Sequence, residues 1–420
     1  MPLIVQKFGG TSVGTLDRIR GAALRALATQ RAGNDVVVIV SAMSGETNRL
    51  LKLAHDVVAM PDARELDALA ATGEQVSAAL MALAIQAAGG RARSFLGHQL
   101  KILTDSAFTK ARIKAIDASR VTDTVKDGTI VVVAGFQGVD EDGNITTLGR
   151  GGSDTSAVAV AAAIGADACE IFTDVDGVYT ADPNVCPSAR KIERISYEEM
   201  LELASLGAKV LQIRSVEVAM KYGVPVHVRS SFSEASGTWV VGEDASFESV
   251  VVTGVASDKG EARVMLVGVD DRPGMVAEIF GALADENIGV DMIIQNASVD
   301  PGGAEGPAAA RGAKTDVTFT VTKTDLPRAK VVMDRIAASV GASGLRYDES
   351  VAKVSVVGLG MRSHAGVAAR MFRLLAGAGI NIQAISTSEI KVSCLVAADR
   401  AEDAVRTLHD GFGLGAPARP

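Results

Sequence analysis

"LIVQKFGGTSVGTLDRIRGAALRALATQRAGNDVVVIVSA", Leu3–Ala42, sets the reading of the first half of the chain. Its opening "LIVQKF" is a short apolar run, and "TLDRIRGAALRALATQ" carries apolar residues at helical spacing. "DVVVIVSA" is a continuous β-branched run, the pattern of a strand buried on both faces. Strand, helix and strand in that order predict parallel pairing through a crossover. Further along, "GTIVVVAGF" and "ACEIFTDV" read as strands, and "TSAVAVAAAIGA" reads as an alanine-rich helix. "VPVHVRS" around His227 reads as the last core strand. The expected class is α/β, a layered α/β/α domain with a mainly parallel sheet.

The second half changes character and repeats. "ARVMLVGVDDRPGMVAEIFGALADENIGVDMI" starts at Ala262, and "AKVSVVGLGMRSHAGVAARMFRLLAGAGINIQAI" starts at Ala352. Each copy reads strand, Gly-containing loop, helix, strand, a further strand ("TDVTFTV", "IKVSCLV") and a helix. That is a small βαββαβ unit, present twice. The first copy carries a Gly/Ala/Pro-rich insert, "SVDPGGAEGPAAARGAK", expected to form a surface loop. The expected division is a first domain over 1–235, a linker over 236–260, one repeat unit over 261–345, a second over 346–412 (with interleaving of the two left open), and a tail over 413–420.

Composition narrows the function classes. A length of 420 residues suggests several domains. Hydrophobic residues are 48% and aromatics only 4%, which suits packed α/β layers rather than an aromatic-rich sandwich. Net charge is −8 with no basic run, so nucleic acid is not an expected partner. Cys169, Cys186 and Cys394 are scattered without a C-x-x-C pair, which suits a reducing compartment and argues against a zinc site or disulfide framework. The five histidines lack metal spacing. No export signal precedes "LIVQKF", and no apolar run reaches about 18 residues, so the cytoplasm is the expected location, with no membrane partner.

Two glycine loops carry the chemistry. In "KFGGTSVG", Lys7 ends a strand, Gly9 and Gly10 let a ligand approach the backbone, and Thr11 and Ser12 are candidates to cap the next helix. This is not G-x-x-x-x-G-K-[ST], so a Walker-type NTPase is unsupported. In "TTLGRGGSDTSAVAVAAAIGA", Arg150 precedes Gly151 and Gly152, and Ser153 and Asp154 stand where a helix should begin. One such loop could be a plain βα turn. Two in one sheet, each with a cation beside its glycines, point to a polyanion site, and an arginine there can grip a carboxylate with two parallel hydrogen bonds. "FTDVDGVYTADPNVCPSARKI" gathers Asp174, Asp176, Asp182 and Tyr179 after a strand. It reads either as an Asp/Gly/Pro turn or as a nucleotide pocket at the C-terminal edge of the sheet. Ser41, Thr47 and Glu74 lie near helix starts. Glu74 suits a substrate ammonium or, equally, a first-turn helix acid favoured by the dipole.

"KFGGTSV", "TLGRGGSDTSA" and "FTDVDGVYTADPN" together resemble the aspartokinases of the amino-acid-kinase fold, and the tandem C-terminal units resemble their ACT regulatory domains. The resemblance covers essentially the whole chain in order. It implies transfer of the γ-phosphoryl of Mg-ATP to the β-carboxylate of L-aspartate, giving 4-phospho-L-aspartate, the first step of lysine, threonine and methionine (diaminopimelate) biosynthesis. By the family pattern, Lys7, Gly9, Gly10 and Ser12 would hold the phosphates, joined by Lys209. Arg150, with Gly152 and Ser153, would clamp the aspartate α-carboxylate. Glu74 would take its ammonium, with Ser41 and Thr47 orienting it, and Asp154 would organise the two lysines. Thr173, Asp174, Tyr179, Asp182 and Pro183 would line the nucleotide pocket. Mg²⁺ would ride on ATP oxygens, and no protein ligand is assigned to it. The ACT units imply feedback control by lysine, threonine or both. Asp271, Gly274, Met275, Val276, Asp291 and Gln295 match effector positions in the first copy, and Asn381 and Ile382 in the second. A homo-oligomer is implied. Some relatives also make an internally initiated regulatory subunit; here no Met stands at that boundary, although a valine codon can serve as a start.

Three rivals are weaker. A glutamate or acetylglutamate kinase of the same fold is disfavoured by "KFGGTS" and the tandem ACT units. A non-catalytic sensor would be expected to lack a phosphate-binding lysine or Arg150. An NAD-dependent dehydrogenase would need G-x-G-x-x-G after the first strand.

Overall fold

The computed structural model describes residues 1–207, 210–244, 251–295, 314–362 and 364–415. The chain divides into two compact units. One comprises Met1–Tyr179 with Lys191–Ser249, and the other Thr180–Arg190 with Val250–Pro420.

The first unit is built on an eight-stranded sheet. Its order is Arg194–Ser196, Thr238–Val241, Val226–Ser230, Ala168–Thr173, Leu3–Phe8, Asp35–Val40, Ile130–Ala134 and Ala92–Phe95. Every neighbouring pair is parallel except Val226–Ser230 with Thr238–Val241. The continuous apolar runs are central strands, with Val36–Val40 and Ile130–Ala134 at most 1% exposed. Helix Leu16–Arg31 packs Ile19, Ala23 and Leu27 beneath the sheet beside Ala78, Met81 and Ile85. Across three central strands Gln6, Glu170 and His227 are in register. Burial alone would raise the Glu170 pKa, but hydrogen bonds from His227, Gln6 and Arg229 outweigh it and hold the carboxyl at about 2. A smaller sheet orders Ile113–Ala115, Leu103–Thr104, Gln137–Val139 and Ile145–Thr147.

One described helical stretch, Ala63–Ala87, is long and apolar enough to cross a bilayer by length and composition. It is two helices broken at Ala71, it buries Asp67 and Glu74, and Ala78, Met81 and Ile85 face the core. The sequence showed no unbroken apolar run because these two carboxylates interrupt it.

The second unit holds two four-stranded antiparallel sheets. One, ordered Ile293–Gln295, Lys314–Thr322, Glu261–Asp270, Gly344–Asp348, comes from one continuous span around helices Met275–Asp285 and Leu326–Ile336. The other is ordered Gly254–Asp258, Val351–Val357, Lys391–Ala397, Ala384–Thr387. Its edge strand Gly254–Asp258 therefore comes from chain that precedes the first copy, and the second copy itself supplies only βαββα of the expected βαββαβ unit.

Two boundaries need correction. The span 236–260 is not a linker: Thr238–Val241 lies between Val226–Ser230 and Arg194–Ser196 in the large sheet, and Gly254–Asp258 completes the second repeat sheet. Both strands are short and gain their hydrogen bonds from distant partners, so local periodicity does not expose them. The insert lies outside the described residues, apart from its last residue, Lys314.

Candidate active site

Four parallel strands end at one edge of the large sheet, at Phe8, Val40, Ala134 and Thr173. Phe8 pairs with Val40 and with Phe172, and Val40 pairs with Ala134. In open α/β sheets this C-terminal edge is where ligands bind. The chain leaves the first strand through Gly9 and Gly10. A Cβ on Gly9 would lie 3.3 Å from Lys7 Nζ, and one on Gly10 would lie 3.0 Å from the Ala42 carbonyl. Glycine is therefore what lets this loop lie against the lysine and the neighbouring loop. The backbone N–H groups of Gly10 and Thr11 have no hydrogen-bond partner among the described residues. They add two donors beside the Lys7 cation, a combination that attracts phosphate.

The expected capping by Thr11 and Ser12 is corrected. Thr15 caps helix Leu16–Arg31, accepting from the Arg18 N–H. Ser12 donates to the Phe172 carbonyl at 3.4 Å and accepts from Ser231 at 2.5 Å, so it ties the loop to two other strand ends.

The second glycine loop meets the first through charge. Lys7 Nζ lies 2.5 Å from Asp154 Oδ1, with about a tenth of each side chain exposed. Asp154 is in the first turn of helix Gly152–Ile164. Gly151 caps that helix with φ of 71°, and a Cβ there would fall 1.8 Å from the Gln212 side chain, so no other residue fits. Ser153 is buried, while Arg150 is exposed in the preceding turn and has no salt bridge among the described residues. Burying an ion pair is costly, and removing one partner strands the other.

Glu74, at 3% exposure, accepts from the Ala42 N–H at 2.9 Å through Oε1. Its Oε2 is buried with no partner. Burial pushes the carboxyl up to about 7, against the hydrogen bond from Ala42. A buried acceptor lacking a donor in the free protein suits a cationic ligand group. Ser41 follows the second strand, its N–H bonded to the Phe8 carbonyl, and Thr47 is half-buried at the start of helix Glu46–Val57.

Beyond Ala168–Thr173, Thr173 Oγ1 donates to Asp174, and Tyr179 donates its phenol proton to Asp176 at 2.9 Å. Burial and Asp176 together raise the Tyr179 pKa. Asp182 and Pro183 belong instead to Thr180–Arg190, which groups with the second unit. There Asp182 Oδ1 accepts from the Asn184 N–H. Lys209 lies outside the described residues.

Among the effector positions, Gly274 adopts φ of 92° at the start of helix Met275–Asp285, and Gly366 repeats the device with φ of 98° before Val367–Gly377. Met275 is 1% exposed and packs into the core, so only its backbone can meet an effector. Asp271 is in the loop before that helix, and Val276 is 37% exposed. Asp291 pairs with Lys353, joining the two repeats. Gln295 and Asn381 are exposed, and Ile382 packs against the second core.

Two residues that the motifs did not reveal hold the Arg150 loop. Asp67, at 1% exposure, accepts from Thr147 N, Thr147 Oγ1 and Thr109 N at 2.7, 2.6 and 2.9 Å. Arg214 donates to the Leu148 and Ala111 carbonyls at 2.5 and 2.9 Å. Neither stands in a glycine motif; each reads in sequence as an ordinary helix charge.

An α/β domain with two glycine loops at its ligand edge, followed by a tandem repeat unit, is the class this fold and edge define. The model of the amino acid kinase family matches residues 2–230, and that of the ACT domain matches 264–335 and 354–412. The chain is 53% identical to the aspartokinase of Pseudomonas aeruginosa, covering all of this chain and 99% of that one. It is 54% identical to an aspartate kinase of Stutzerimonas stutzeri, again over all of this chain and 99% of the relative. The crystal structure of E. coli aspartokinase III with aspartate and ADP superposes with a TM-score of 0.81 at 26% identity, covering 97% of this chain and 99% of that one. The chain belongs to the aspartokinases, kinases that transfer phosphate to a carboxylate, with C-terminal ACT domains.

Proposed function

We propose that the Lys7–Asp154 edge is the phosphoryl-transfer site, passing the γ-phosphoryl of ATP to the β-carboxylate of L-aspartate as the first step toward lysine, threonine and methionine. The observation that carries this is the salt bridge joining two glycine loops at the C-terminal edge of a parallel sheet. A carboxylate is already a nucleophile, so no general base is needed. What the reaction needs is in-line placement and cancellation of charge between two anions. Lys7 and the loop N–H groups would take the phosphates, and Lys209 would add a second cation. Asp154 would hold Lys7 pointed at the transferred group. Arg150 would grip the α-carboxylate beside Gly152 and Ser153. Glu74 Oε2 would receive the ammonium, with Ser41 and Thr47 at its flank. Thr173, Asp174 and Tyr179 would border the nucleotide, whereas Asp182 and Pro183 group with the second unit.

Mg²⁺ is the expected metal. The acid beside Lys7, Asp154, is already engaged by that lysine. That arrangement suits a cation carried in on nucleotide oxygens. Its chemistry when bound would be to neutralise charge on the β- and γ-phosphates. The ACT pair would bind lysine, threonine or both around Asp271–Val276, Asp291, Gln295, Asn381 and Ile382. A homo-oligomer would be the working form, with a separately initiated regulatory subunit as an open variation, and the cytoplasm its place.

The test is ATP turnover with L-aspartate, trapping the acyl phosphate with hydroxylamine, in the presence of lysine, threonine or both. Aspartate-dependent hydroxamate supports the reading. Product only with glutamate or another acid overturns the substrate. The pattern of inhibition identifies the effector.

A further inference from the structure

The span "YTADPNVCPSARK", Tyr179–Lys191, lies inside the kinase portion of the sequence, yet Thr180–Arg190 packs into the second unit. Ala181 and Cys186, at 4% and 2% exposure, are buried in one core with Val255, Met371, Leu408 and Leu414. The two chain segments that lead into and out of this span, the neck, are paired with each other. Ile192 N donates to the Val178 carbonyl, Tyr179 bridges Lys191 antiparallel, and Thr180 N donates to the Arg190 carbonyl.

Thr180 is held from several directions on the second-unit side of this neck. Its carbonyl accepts from Val255 N at 2.8 Å, on the strand that completes the second repeat sheet. Its hydroxyl accepts from Arg190 N at 2.9 Å and meets His409 Nε2 at 2.9 Å. His409, fully buried on the last helix, Ala401–Gly411, places Nδ1 3.4 Å from Ser188 Oγ, which also reaches Asp410. Cys186, His409 and Asp410 have ligand-type atoms within 4.8 Å of one another. Both ring nitrogens already have hydroxyl partners, so this cluster is a polar clamp rather than a metal site. Arg190 Nε adds a bond to the Leu414 carbonyl at 2.7 Å.

We propose that Thr180, clamped by His409 and Val255, is a positioning residue for the nucleotide loop Thr173–Tyr179, and that the neck carries the state of the ACT unit to that loop. This rests on the reading of Thr173–Tyr179 as the nucleotide border. Tyr179 is the residue before Thr180, and its phenol is bonded to Asp176 of that loop. A shift of the second repeat sheet or of the last helix must therefore be taken up within one or two residues of the loop. Thr180 and His409 reach the reaction only through that chain connection.

The test uses full-length Thr180→Val, which keeps shape and removes the hydroxyl, and Thr180→Ser, which restores it, with thermal melts to establish folding. Asp174→Asn serves as a reference for the nucleotide border. Thr180→Val is expected to raise the KM for ATP several-fold, change the KM for aspartate little, and weaken inhibition by lysine plus threonine. Thr180→Ser should stay near wild type. The coupling is overturned if folded Thr180→Val keeps a wild-type KM for ATP and wild-type inhibition while Asp174→Asn raises that KM. It is equally overturned if Thr180→Val and Thr180→Ser are impaired alike, or if both substrate KM values rise together. An unchanged KM for ATP in Asp174→Asn as well would bring down the nucleotide border itself.

Discussion

Glu74 and His409 are both buried titratable residues on helices, and they differ in what their polar atoms find. Glu74 leaves Oε2 without a donor, and its carboxyl is pushed up to about 7. His409 has a hydroxyl at each ring nitrogen. Burial lowers its pKa, against a smaller raising effect of Asp410. A buried acceptor without a donor favours a ligand that brings one, whereas a satisfied one is a joint within the protein. On this criterion the kinase edge is built to receive charge and the Thr180–His409 clamp is built to hold chain.

The sharpest way to break that contrast is at Lys7. If the cation acts on charge at the transferred group as proposed, Lys7→Ala should lower kcat by about a hundredfold or more. Single-turnover kinetics with saturating ATP would check it, and near-normal turnover would remove Lys7 from the site. Arg150→Ala should follow, with loss of about 2 kcal/mol from a charge-assisted carboxylate grip, roughly a thirtyfold rise in the KM for aspartate. Steady-state kinetics would show kcat little changed. The KM for ATP rising instead would relocate Arg150 to the nucleotide.

Glu74 sharpens the comparison through pH. Its folded pKa, about 7, lies above its unfolded value, so its contribution to free-enzyme stability is fully present at acid pH. That contribution is lost as pH rises through about 7, a difference on the order of 3 kcal/mol. Glu74→Gln removes this dependence, so its melting temperature relative to wild type should climb between pH 5 and pH 8. In its proposed role the ammonium of aspartate needs the carboxylate, so the wild-type KM for aspartate should rise as pH falls below about 7, and Glu74→Gln should flatten that profile. A smaller effect is expected at Asp67→Asn. It should raise the KM for aspartate a few-fold by loosening Thr147 ahead of Arg150, with the KM for ATP unmoved. Smallest on activity is His409. Its lowered pKa means stability is present above its unfolded value near 6.5 and declines as pH falls through the depressed folded value. Melts of His409→Gln should lose that acid-side decline.

Much of this was legible along the chain. "DVVVIVSA" and "GTIVVVAGF" read as buried parallel strands, because a strand covered on both faces has no polar alternation to lose. Lys7, Gly9, Gly10, Arg150 and Asp154 stood out because each glycine loop keeps its cation within a few residues. Asp67 and Arg214 did not, since what distinguishes them is a carbonyl or N–H many residues away.

By itself the sequence determined the layered α/β class, the repeated strand–helix–strand–strand–helix order of the second half and the two glycine loops, since each is written in neighbouring residues through periodicity or turn chemistry. Only the tertiary structure decided that Lys7 meets Asp154, that Glu74 keeps an unpartnered oxygen, that Gly254–Asp258 completes the second repeat sheet, and that Thr180–Arg190 packs with Val255 and His409. These are pairings between distant segments, selected by burial and by hydrogen bonds that no local stretch of chain can supply.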